Sequence, residues 1–218
     1  MRSIRNFLAA RRAVAMIEMA LVLPVFIPAG MYAIEMSNYS VVQMRVNQIA
    51  LTLADNASRA GVDTNLATQQ LRELDINDVL QGLRIQQGKL DVPGRGRVTI
   101  SSLETNSSGG QWVHWQRCLG IRQGAGYDSS ATEGNGATGN SFPGMGPTNA
   151  RVTAPPNSAV MYVEINYDYR PLVAAFFVSS TRISATASFI VRDNRDLASG
   201  ITNPAPAQPS MTCNKYTS

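Results

Sequence analysis

A carboxylate, an imidazole, two thiols and a glycine-rich run are the residues with which this chain could do chemistry. Glu18 sits in RRAVAMIEMALVLPVFIPAG, residues 11–30, behind two arginines and inside an otherwise apolar stretch. A charge at the centre of a membrane helix costs about 2.5–3.5 kcal/mol, so an acid placed there calls for a compensating partner. His114 is the sole histidine and stands between Val113 and Trp115. Zinc needs further His or Cys at ligand spacing, and a serine hydrolase needs a GxSxG elbow; neither accompanies it. GNGATG, residues 134–139, has the form GxGxxG, but a dinucleotide fingerprint leaves a strand and opens a helix. Here DSSATE precedes it and NSFPGMG follows, which is loop composition. The expectation is a protein that is not an enzyme and that holds no cofactor and no metal.

Cys118 and Cys213 are too far apart in sequence for a CxxC zinc or redox motif. Outside the cytosol they would form a disulfide, contributing about 2–4 kcal/mol by restricting the unfolded chain. In a reducing compartment they would be two buried thiols. The formal net charge of +4 over 218 residues has a local origin. Arg2, Arg5, Arg11 and Arg12 stand in the first 13 residues with no acid, and the remainder balances 15 basic against 15 acidic side chains. That distribution offers no phosphate-tracking face, so no nucleic-acid partner is expected.

The element that must position Glu18 is a membrane helix. Met19–Ile34 is a run of 16 uncharged, mostly large apolar residues. It spans about 24 Å as helix, and counting from Ala13 brings the length to about 33 Å, against a hydrocarbon core of about 30 Å. The arginines ahead of it place the short N-terminus in the cytoplasm and the long remainder outside. A cleaved secretory signal fits less well, because Met31-Tyr32-Ala33-Ile34 prolongs the apolar run past Pro28-Ala29-Gly30. A buried soluble helix suits neither the arginines nor Pro24 and Pro28, whereas membrane helices tolerate internal proline. A plain signal anchor leaves Glu18 uncompensated.

Arg11-Arg12-Ala13, then Val14-Ala15-Met16-Ile17-Glu18-Met19, then Ala20-Leu21-Val22-Leu23-Pro24 together resemble the start of TadE/TadF-like minor pilins (pseudopilins) of the tight-adherence (Flp, type IVc) pilus system. The resemblance is tight over residues 11–36. Two positions depart from the family pattern: Ala13 replaces the usual Gly, and Met19 replaces the usual aromatic residue. The resemblance implies a basic leader of residues 1–13, with its charges at Arg2, Arg5, Arg11 and Arg12. A prepilin peptidase would remove it between Ala13 and Val14. The freed α-amine of Val14 would then meet Glu18 of a neighbouring subunit staggered by about one helical turn, each charge offsetting the burial of the other. The implied partners are other major and minor pilins and the inner-membrane Tad assembly platform. The implied location is the bacterial inner membrane, with a periplasmic C-terminal domain, or the cell-surface pilus.

Helical patterning continues beyond the membrane. Val42, Val46, Ile49, Leu53 and Ala57 form one stripe ending before Gly61. One helix from Ala13 to Ala60 is predicted, with residues 14–36 in lipid and 37–60 laid on a soluble core. A shorter helix is expected to start near Asp63 and carry Leu66, Leu71 and Leu74. Beyond residue 95 the period becomes two. VTIS at 98–101, QWVHWQRCL at 111–119, VMYVEINYDY at 160–169 and RISATASFIVR at 182–192 read as antiparallel strands. The predicted class is α+β and pilin-like, a long N-terminal helix packed on an antiparallel sheet, with residues 61–192 as the folded domain.

Residues 123–158 hold seven glycines and four prolines without sustained period, the composition of a functional or disordered loop. Residues 193–218 read as a polar tail that a Cys118–Cys213 bridge would tie back. PLVAAFFVSS, residues 171–180, is expected to tuck into the core or the hairpin, or else to make a subunit contact.

Overall fold

Helix α1 (Arg11–Arg59) runs unbroken through Pro24 and Pro28 for 49 residues. A computed structural model describes residues 11–61, 68–178 and 181–217, with the side chains of 11–13 left aside. The chain divides into two compact units. Residues up to Val41 join Arg170–Thr181 in the first, and Val42–Tyr169 joins Arg182–Ser218 in the second.

In the second unit, the back half of α1 buries Val46, Ile49, Ala50, Leu53, Ala54 and Ala57, the expected stripe widened by two alanines. It lies on an antiparallel sheet, so the class is α+β. After it come β1 (Leu71–Arg72), α2 (Glu73–Gln86), α3 (Val92–Arg95), β2 (Gly96–Thr105), β3 (Gln111–Leu119), β4 (Val160–Asp168), β5 (Arg182–Ile190) and β6 (Ile201–Thr202). The main sheet has the order β3-β2-β4-β5, and β1 pairs with β6 in a separate parallel ribbon.

The helix start expected near Asp63 lies outside the described residues, and the next described helix begins at Glu73. Leu71 lies in β1 instead, Leu74 is partly exposed, and Leu66 falls outside the described residues. The start is set by Asp75, whose Oδ2 accepts from the Arg72 backbone N–H at 2.9 Å and whose carboxylate also pairs with the Arg72 guanidinium at 2.8 Å. Glu73 and Asp75 in the first turn also complement the helix dipole.

One face of the sheet carries the alternating residues: Val98 and Ile100, then Met161, Val163, Ile165 and Tyr167, then Ile183, Ala185 and Ala187, all buried. The opposite face is covered by the glycine-rich segment. Ala131, Met145 and Ala154 pack with Leu103, Val113, Val160 and Tyr162 into a second small core, with Phe142 and Val152 at its margin. Residues 123–158 are thus an ordered cover, which the lack of period conceals. Backbone hydrogen bonds fasten it to the outer edge of β3, from Val113 N to Asn135 O at 2.9 Å and from Gly134 N to Val113 O at 2.8 Å. Gly136, at φ +75°, approaches the Gln111 carbonyl so closely that a Cβ would strike it.

Buried arginines close the remaining gaps. Arg97 Nη1 donates to the carbonyls of Gly120 (2.9 Å) and Lys215 (2.8 Å), and Nη2 to that of Cys213 (2.6 Å). Its guanidinium also lies 4.3 Å from the Tyr216 ring centre. Arg195 Nη2 donates to the Ala57 and Ser58 carbonyls at 3.2 Å and to that of Ala60, placing a cation on the C-terminal end of α1. Burial pushes both guanidinium pKa values down. Arg117 Nε donates to both Glu73 carboxylate oxygens, at 3.1 and 3.0 Å, tying α2 to β3.

Candidate functional site: the apolar helix and its two acids

The first unit carries the helix surface to which Glu18 belongs. From Val14 to Ile34 every residue of α1 is exposed on all sides of the helix. Met16, Leu21 and Phe26 are 75%, 71% and 69% exposed. A surface this apolar around the whole circumference marks a segment whose natural surroundings are lipid or other protein. The helix is long and apolar enough to cross a membrane. Pro24 and Pro28 each remove a backbone donor, a loss that membrane helices absorb more readily than soluble ones.

Two acids sit on this half of the helix in opposite circumstances. Glu18 is exposed and, among the described residues, has no hydrogen-bond or ion-pair partner. It follows Val14 by four residues, so both lie on one face, about 6 Å apart along the axis. Glu35, one residue past the uncharged run, is fully buried. Its Oε1 accepts from the backbone N–H of Leu172 at 3.2 Å and its Oε2 from that of Val173 at 2.6 Å. Glu35 drew no expectation from the sequence. Its signal is only that an acid ends an apolar run, and its partners lie 137 and 138 residues away.

The connector 171–180 therefore lies in the first unit, outside the sheet's core. Its short 3-10 turn, Ala175–Phe177, sets Phe177 edge-on to Tyr32 with ring centres 5.9 Å apart. Phe176 stacks beside Phe177 at 4.0 Å and remains 81% exposed.

The other sequence-derived positions are dispersed. Arg2 and Arg5 lie outside the described residues, while Arg11, Arg12 and Ala13 belong to the first turns of α1. Val14 is partly exposed. Cys118 and Cys213 form a disulfide in the second unit, with Cα atoms 4.8 Å apart and 95 residues between them in sequence. Together with Arg97 it holds the tail against β2 and β3.

His114 is the extra residue at a β-bulge, where Ser102 pairs with Trp115 and Leu103 with Val113. The bulge turns its Nδ1 to Glu104 Oε2 at 2.9 Å, and its ring stacks on Trp112 at 4.0 Å. Ser102 Oγ donates to Glu104 Oε1 at 2.6 Å. The carboxylate thus stands between the Ser102 hydroxyl and the imidazole, an order different from that of a Ser-His-Asp triad. GNGATG is a run of turns with Gly134, Gly136 and Gly139 at positive φ, and no helix follows it. Among the described residues no group of three or more His, Cys, Asp or Glu is placed to hold a metal.

No family model, curated protein or solved structure matches this chain. A functional reading consequently rests on the chain's own residues.

Proposed function

We propose that this protein is a minor pilin or pseudopilin subunit of a tight-adherence pilus, assembling through α1 to prime or support pilus biogenesis, adhesion and surface attachment. The observation that carries the reading is Glu18, an exposed acid without a partner among the described residues, in an otherwise apolar stretch of helix one turn beyond the Ala13–Val14 junction. Before assembly, α1 holds the subunit in the inner membrane, with the leader cytoplasmic and the disulfide-bonded sheet domain periplasmic. A prepilin peptidase removes residues 1–13 and leaves a cationic amine on Val14. In a bundle of such helices, with other pilins as neighbours, that amine and a staggered Glu18 carboxylate neutralise each other in low dielectric. Pairing of this kind fixes axial register, as a buried polar group does in a coiled coil. The inner-membrane Tad platform supplies the docking surface for extraction, and the energy comes from a separate ATPase, since this chain has no Walker motif.

The experiment is to replace Glu18 by Gln in cells that make the pilus. Membrane fractions should retain the variant at normal abundance, while sheared pili, labelled with immunogold, should be lost. Normal piliation refutes the pairing. A second reading, an uncleaved membrane-anchored adaptor of an envelope secretion machine, draws on one specific residue. Ala13 stands where the family carries Gly before the cut. It keeps the anchor and the domain and gives Glu18 no role.

A further inference from the structure

The β4–β5 connection is far longer than a hairpin requires. Asp168 pairs with Arg182 across the ladder, so residues 169–181 form the loop, where two residues would suffice. The added length is devoted to a segment without charge. Between Arg170 and Arg182 stand eleven uncharged residues, PLVAAFFVSST. The two carboxylate oxygens of Glu35 hold the loop's first turn through the Leu172 and Val173 N–H groups. Tyr32 receives Phe177 one helical turn earlier. With those contacts made, Leu172 and Phe176 still point away from protein, 66% and 81% exposed.

We propose that residues 171–178 are a membrane-contacting finger, seating Leu172 and Phe176 in the headgroup–acyl boundary of the bilayer that α1 crosses. The inference rests on the membrane-spanning reading of α1. Three observations select lipid as the occupant. The finger is fixed to α1 at Tyr32 and Glu35, where the uncharged run Met19–Ile34 ends and the helix leaves hydrocarbon. Three aromatic rings gather at that level, Tyr32 of the kind that membrane proteins concentrate at the interface and Phe176 and Phe177 of the kind that interfacial segments insert. The exposed Arg170 opens the apolar segment, the arrangement by which interfacial segments pair apolar insertion with attraction to lipid phosphate. Burial against backbone amides keeps the Glu35 carboxylate out of contact with that phosphate.

The test uses full-length protein in anionic phospholipid vesicles whose acyl chains are brominated either near the glycerol or near the chain end. Phe176→Trp reports the finger and Phe26→Trp the middle of α1, each read as fluorescence lost beyond the Trp112 and Trp115 background. The expected result is quenching of Phe176→Trp by the shallow bromines and of Phe26→Trp by the deep ones. Quenching of Phe26→Trp alone overturns the finger and leaves the anchor standing. Quenching of neither overturns the membrane reading beneath it. A Phe176→Trp emission that escapes bromine and shifts to the blue only as protein density rises assigns the finger to a neighbouring copy, and also overturns the proposal.

Discussion

From Val14 to Ile34, α1 turns large apolar side chains outward on every side, whereas from Val42 to Arg59 it buries a single stripe and leaves Gln43, Asn47 and Arg59 in solvent. The backbone is the same throughout. What differs is the surroundings each half was composed for. A helix apolar all round is stable only when its environment is apolar too, and a striped helix needs one core on one side. The contrast extends to the acids. In the front half Glu18 is exposed and has no hydrogen-bond or ion-pair partner among the described residues, while at its end Glu35 accepts from backbone amides of the chain itself. On the proposed reading, the unsatisfied group within this one element is the one that meets a neighbouring subunit.

The contrast breaks if both halves respond alike to truncation. Leu53→Ala, at a site with no exposure, should cost the second unit about 2–5 kcal/mol. Leu21→Ala should change its unfolding by less than about 0.5 kcal/mol. Denaturant titration in detergent, followed by Trp112 and Trp115 fluorescence, measures both. Equal losses would mean that the front half is part of the folded core.

The second unit should also depend on its own cross-links in a way the first does not. Cys213→Ser, which opens the bridge to Cys118, should lower stability by about 2–4 kcal/mol in the same titration, and wild type under reductant should match it. Arg195→Met leaves the Ala57, Ser58 and Ala60 carbonyls without their guanidinium, a loss of about 1–3 kcal/mol. Hydrogen exchange in that variant should rise at residues 55–60 while residues 20–30 keep their wild-type rates.

The smallest effect concerns pH. Burial raises the Glu164 carboxyl above its ordinary range, with the Ser129 hydroxyl opposing, and Oε2 has no hydrogen-bond partner. Between the ordinary value and the raised one, the native state binds more protons than the unfolded state, so stability falls as pH rises through that window. Glu164→Gln should flatten this slope and leave the variant more stable than wild type above the window. An unchanged slope in thermal unfolding across pH would contradict the assignment.

Much of this molecule was legible because periodicity is a local signal. The full length of α1, the stripe Val46-Ile49-Leu53-Ala57 and the alternation in β4 and β5 all follow from spacing within a few residues. β2 was visible only as VTIS because both its faces are covered. Arg97, Thr99 and Ser101 are buried opposite Val98 and Ile100, so no alternation marks the strand's ends. The start of α2 had only a weak signal, Glu73 and Asp75 in its first turn, and Leu66, Leu71 and Leu74 suggested an earlier one. The backbone amides that hold Glu35 and the carbonyls that hold Arg97 and Arg195 lie more than 20 residues away, and up to 138. A single sequence holds no local trace of such pairs. Glu18 was legible for the opposite reason: its anomaly lies within its own apolar run.

The central claim is that the membrane form begins at Val14, with an amine positioned for a neighbour's Glu18. Intact-mass measurement of protein extracted from membranes, from cells with and without the prepilin peptidase, tests it directly. With the peptidase present, the mass should fall by that of residues 1–13, and without it the full chain should persist. A membrane form that retains Met1–Ala13 in the presence of the peptidase would contradict it.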